Sequence, residues 1–121
     1  MTASPMRFIV AAADTASAVG SGDVDVLATP RLIAWMEALT VRRTAALLVA
    51  GQTSVGTAVR VAHLLPTRVG DAVEITTDPP VIEGRRILYS VRALNNDGQL
   101  VAEGELERVI VDRDRFLARV P

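Results

Sequence analysis

The sequence predicts an α+β domain in which one long helix is wrapped by an antiparallel sheet. Three observations lead there. From Thr29-Pro30 to Gly51, apolar residues recur at helical spacing. Beyond Gly51, about four strand-like segments alternate with turn signals. Half of the 121 residues are apolar but only 3% are aromatic, so the core is built from small and branched side chains. That length is one domain, residues 1–121.

Residues 1–6 read as a loose start, and Arg7 to Ala13 as a strand. Arg7 followed by apolar residues and Ala16-Ser17-Ala18 faintly imitates a signal peptide, but Asp14 ends the apolar run too early. Ala16 to Asp23, with Gly20 and Gly22, reads as loop, and Val24 to Ala28 as a short extended piece. Thr29 is placed to cap a helix whose first residue is Pro30, where a missing N–H is harmless. The helix carries Leu32, Ile33, Trp35, Met36, Leu39 and Leu47 and stops near Ala50-Gly51, about 30 Å on.

Ser54 to Leu64 is the first long strand. Strict alternation puts Val55, Thr57, Val59, Val61 and His63 on one face, toward the helix. Ala72 to Ile82 is a second strand disturbed by Pro79-Pro80. Glu83-Gly84 and the arginines after it turn the chain into Ile87 to Leu94. Asn95-Asn96-Asp97-Gly98 turns it again into Leu100 to Val111, and Asp112 to Val120 reads as a short terminal helix. A sheet covering a single helix leaves an open edge, and pairing that edge with a second copy predicts a homodimer.

Composition removes several kinds of chemistry. There is no cysteine, and all thirteen basic residues are arginine, so thiol nucleophiles, Schiff bases and Walker-type phosphate lysines are absent. One histidine among scattered acids is no metal set. A net charge of −1 with dispersed arginine and few aromatics argues against nucleic acid and a polybasic membrane patch. No apolar run reaches bilayer length, and a cysteine-free chain fits the cytoplasm.

The remaining candidates form a short group. Glu37 interrupts the apolar helix, either as a flank acid paired with an arginine such as Arg60 or as a desolvated carboxylate able to act as base or nucleophile. His63, the single imidazole, is either a hydrogen-bonded core residue or a proton carrier. Thr29 is explained by capping, yet a hydroxyl at a helix start also lies beside free N–H groups that suit a carbonyl oxygen gaining charge. Gly56 marks a bulge or a close approach of ligand to backbone. Arg108 pairs with nearby acids or reaches an anionic substrate.

Thr29, Met36-Glu37, Ser54-Val55-Gly56-Thr57-Ala58 and Ala62-His63 together resemble the hotdog-fold thioesterases of the fluoroacetyl-CoA thioesterase type. Glu83-Gly84-Arg85-Arg86 and Glu107-Arg108-Val109-Ile110 extend the likeness, which spans roughly residues 24–118. The resemblance implies a hotdog dimer hydrolysing a short- or medium-chain acyl-CoA, with Thr29, Glu37 and His63 catalytic and Gly56 and Arg108 contacting substrate. Coenzyme A enters only as part of the substrate, with no separate cofactor or metal. The fluoroacetate-specific enzyme carries aromatic residues before its threonine; this chain has Gly20 to Asp23 there, so the likeness carries chemistry better than acyl choice. The alternative is a non-catalytic hotdog module that binds acyl-CoA or a protein partner.

Overall fold

In the computed structural model, which describes residues 4–121, one long helix lies against a six-stranded antiparallel sheet that curls around it. The strands are β1 (Met6–Ile9), β2 (Gln52–His63), β3 (Ala72–Thr77), β4 (Val81–Glu83), β5 (Arg86–Leu94) and β6 (Leu100–Asp112). Their order is β1-β3-β5-β6-β2, with β4 paired to β5. The helices are α1 (Ala16–Val19), α2 (Thr29–Ala45) and α3 (Arg113–Leu117). Among the described residues no helix is long and apolar enough to cross a membrane.

The apolar stripe of α2 makes the core. Leu32, Met36 and Leu39 are buried against Val73 and Ile75 of β3, Ile87, Tyr89 and Val91 of β5, and Val101 and Leu106 of β6. Truncating any one of the large side chains to alanine costs about 2–5 kcal/mol. The Tyr89 hydroxyl would be stranded there, but it shares a 2.6 Å hydrogen bond with Thr44 at the end of α2. Phe8 stacks on Trp35 at 4.6 Å and ties β1 to the same helix.

Several boundaries depart from the sequence reading. β1 stops at Ile9, and Ala12–Asp14 forms a short 3-10 turn instead of more strand. The expected loop holds one helical turn, α1, capped by Thr15 and closed by Gly20 in the left-handed region at φ 89°. Helix α2 ends at Ala45, earlier than Ala50, because the chain turns to pack Leu48 against the core. The single candidate strand 72–82 is divided: β3 and β4 lie along the same side of β5, separated at Pro79-Pro80.

The main correction is in β2. Its register against β6 runs Gly56 to Arg108 and then Ala58 to Glu107, so Thr57 is an extra, bulged residue. Thr57 turns to the outer face and donates to Glu107 Oε1 at 2.8 Å. Before the bulge, Ser54 and Gly56 face the helix, in place of the expected Val55 and Thr57. After it the expected face is kept, with Val59, Val61 and His63 opposite Leu106, Gly104 and Ala102. Strict alternation would put Gly56 and His63 on opposite faces; the bulge puts them on one.

Candidate active site

Thr29 is the first residue of α2, not its cap. The cap is Ala28, which is fully buried and donates its N–H to the Asp14 carbonyl at 2.9 Å. The expected capping role of Thr29 is therefore taken by the residue before it, and its hydroxyl is free for another partner. That partner is His63: Thr29 Oγ1 and His63 Nδ1 are 2.8 Å apart. Nε2 of the same ring is buried without a hydrogen-bond partner among the described residues. Burial lowers the imidazole pKa below 6.5, and the Leu65 backbone partly opposes that shift. A neutral ring beside a hydroxyl at a helix start is equipped to take up a proton.

Glu37 sits two turns further along α2, about 12 Å from Thr29. Arg108 Nη1 lies 3.7 Å from Glu37 Oε2, so Arg108, not Arg60, is its partner. That separation exceeds hydrogen-bond length, so Arg108 sets positive charge beside the carboxylate while leaving its lone pairs open. Arg108 itself is only 6% exposed. Desolvation lowers its pKa and Glu37 opposes the change.

Ser54 holds Arg108 in place. Arg108 Nε donates to Ser54 Oγ at 2.9 Å, and Nη2 donates to the Ser54 carbonyl at 3.1 Å. The third guanidinium nitrogen is thereby aimed at Glu37. Sequence reading did not assign Ser54 a role, since only the pairing of β2 with β6 brings it to Arg108. Gly56 lies at the bulge, one of the two readings the sequence offered for it, and has a further role. A Cβ built there would lie 2.8 Å from Glu37 Oε2, so the missing side chain makes room for the carboxylate.

Thr29 and His63 thus form a pair, and Glu37, Arg108, Ser54 and Gly56 form a separate group. Within one chain they do not meet: Gly56 and His63 are roughly 20 Å apart along β2. A groove of about 320 Å³ opens beside the Thr29–His63 pair, lined by Gly22, Val24, Val26 and Leu65 along with Thr29 and His63. No Phe, Tyr or Trp lines it.

Residues 10–114 match the family described as fluoroacetyl-CoA-specific thioesterase. The fluoroacetyl-CoA thioesterase of Streptantibioticus cattleyicolor is 35% identical over 97 residues, 79% of this chain and 68% of that protein. A variant of the fluoroacetyl-CoA-specific thioesterase FlK, solved with fluoroacetate and CoA, superposes with a TM-score of 0.89 at 28% identity, covering 98% of this chain and 96% of that one. A thioesterase superfamily member from Thermus thermophilus superposes at 0.87 with 26% identity, over 94% of this chain and 84% of that one.

Proposed function

The chain belongs to the fluoroacetyl-CoA-specific thioesterase family, and from that premise we propose that Thr29, Glu37 and His63 form its catalytic set across a homodimer. It is a thioester hydrolase of the hotdog fold, acting on acyl-CoA. The observation that carries the site assignment is the Thr29–His63 hydrogen bond at the start of α2.

In this reading the Glu37 carboxylate either takes a proton from a water that attacks the thioester carbonyl or attacks it directly to give an acyl anhydride that water then hydrolyses. In both, the C–S bond breaks and CoA leaves as thiolate. Gly56 gives the carboxylate room and Arg108 sets positive charge beside it. His63, neutral at physiological pH, takes up the proton that the water releases and passes it to the departing CoA thiolate. Thr29 and the free N–H groups of the first turn steady the carbonyl oxygen as it gains charge.

The separation of the Thr29–His63 pair from the Glu37 group supports the dimer. β2 pairs only with β6 among the described residues, which leaves its other edge open, and Val59 is 46% exposed. Two β2 edges joined antiparallel about a twofold between positions 59 and 60 set Gly56 opposite His63 of the partner subunit. Glu37 of one subunit then meets the Thr29–His63 pair of the other.

The groove beside that pair has space for on the order of ten water-sized atoms, well beyond a two-carbon acyl group. It fits a short- or medium-chain acyl group in an apolar lining. The reading includes no cofactor beyond the CoA already joined to the substrate, and a cytoplasmic setting.

Thiol release from acetyl-, butyryl-, hexanoyl- and octanoyl-CoA tests this, with Glu37→Gln and His63→Ala beside the wild type. Hydrolysis that falls at least a hundredfold in folded variants is expected. Undiminished turnover in both would remove these residues from the catalytic set. Saturable binding of every ester without hydrolysis by the wild type would favour the binding module.

A further inference from the structure

Three arginines gather at the far end of β6. Arg85 comes from the turn between β4 and β5, Arg115 from α3 and Arg119 from the residues just after it. With Val111, Phe116 and Asp112 they line a hollow of about 130 Å³. Most arginines near acids elsewhere are engaged: Arg31, Arg68, Arg86 and Arg92 pair with carboxylates at 2.8–3.1 Å. Arg85 and Arg119 have no carboxylate within ion-pair distance among the described residues. Arg115 reaches Asp112 only at 3.8 Å with its side chain 85% exposed, a pair that adds little. Arg113 and Asp114 of the same helix cancel in formal charge. The hollow is left cationic.

Its size and shape select a ligand. A volume near 130 Å³ is that of roughly four water-sized atoms, about one phosphate group. Guanidinium forks match phosphate oxygens bidentately. The half-buried Phe116 supports the cluster from below, with the Arg119 guanidinium over its ring at 5.9 Å. The distance also fits. Asp112 is four residues along β6 from Arg108, about 13 Å. The arm of CoA from sulfur to the nearest phosphorus is a chain of thirteen bonds, reaching roughly 16 Å.

We infer that the Arg85–Arg115–Arg119 hollow is a phosphate subsite that holds the nucleotide end of the CoA ester whose carbonyl is attacked at Glu37. This rests on the acyl-CoA reading above. Steady-state kinetics on an acyl-CoA and on the matching acyl-pantetheine ester, which lacks the nucleotide, separate the two. In the Arg85→Ala/Arg119→Ala variant, KM for acyl-CoA is expected to rise roughly tenfold or more while the acyl-pantetheine KM stays put. Arg119→Ala alone, at an exposed position, gives part of the effect if the double variant folds poorly. Calorimetric titration of adenosine 3′,5′-bisphosphate reads the subsite without any turnover: wild type binds, and the double variant binds at least tenfold more weakly. An unchanged acyl-CoA KM, an equal rise for both esters, or equal bisphosphate affinity in both proteins would overturn the subsite. Absence of hydrolysis with bisphosphate binding intact would overturn the catalytic reading and leave the subsite standing.

Discussion

At position 56 a single methyl group decides where a carboxylate sits. The clash that Gly56→Ala creates is with the tip of Glu37, a flexible side chain, and not with backbone. The variant is therefore expected to keep its melting temperature within a few degrees, while kcat drops by about tenfold to a hundredfold as Glu37 is displaced. A thermal melt beside a hydrolysis assay checks both, and full activity would show that the carboxylate works equally well elsewhere. His63 makes a second prediction. Burial lowers its folded pKa below 6.5, so the neutral ring is favoured in the native state and its contribution to stability is present above pH 6.5. As pH falls through the folded pKa, that contribution and the proton-accepting ring are lost together. The acid limb of a kcat/KM profile should lie below pH 6.5 and vanish in His63→Ala, and a limb above 6.5 would contradict the burial argument. Residue type and spacing made Thr29, Glu37 and His63 legible. The partners were not: Ser54 reaches Arg108, and Gly56 faces Glu37, only through strand register.

The elements were legible in kind and displaced at their ends. Helical spacing located α2, but burial of Ala28 moved its start and the packing of Leu48 moved its end. Alternation located β2, and the bulge at Thr57 reversed half of it. Gly56 hinted at a bulge in Val55-Gly56-Thr57-Ala58 but not at which residue is left over, because a bulge is a property of two strands. Glycine in β6 shows the same dependence. A Cβ on Gly104 would lie 2.0 Å from the Arg60 carbonyl oxygen and 2.7 Å from Val61 Cα, both backbone atoms of β2. Neither can swing aside, so Gly104→Ala must part the two strands at the edge that carries Gly56 and His63. We expect a loss of about 2–3 kcal/mol, seen as a fall in melting temperature of roughly 10 °C. A melt unchanged from wild type would mean that the strands separate there at no cost.

At the level of the whole molecule, the prediction concerns two chains. If Glu37 of one subunit works with His63 of the other, an equal mixture of Glu37→Gln and His63→Ala chains regains activity. Random reassortment makes half the dimers mixed, and each mixed dimer has one intact site, so recovery should approach about a quarter of wild type. Refolding the inactive variants together and assaying thiol release measures it. No recovery, with mixed dimers present by mass spectrometry, would place both residues of a working site in one chain.

The sequence by itself determined the fold class, the order of the long elements, the family likeness and a short set of candidate side chains for acyl transfer. Those follow from local chemistry: apolar periodicity, turn residues, and a chain with no thiol and no lysine. The tertiary structure decided how the set is divided. It placed the bulge that turns Gly56 and His63 to one face, gave the Thr29 hydroxyl to His63, gave Arg108 to Glu37, and held the two groups apart along β2. Each of those contacts joins residues far apart in the chain, and register between strands, which no local pattern encodes, determines which ones meet.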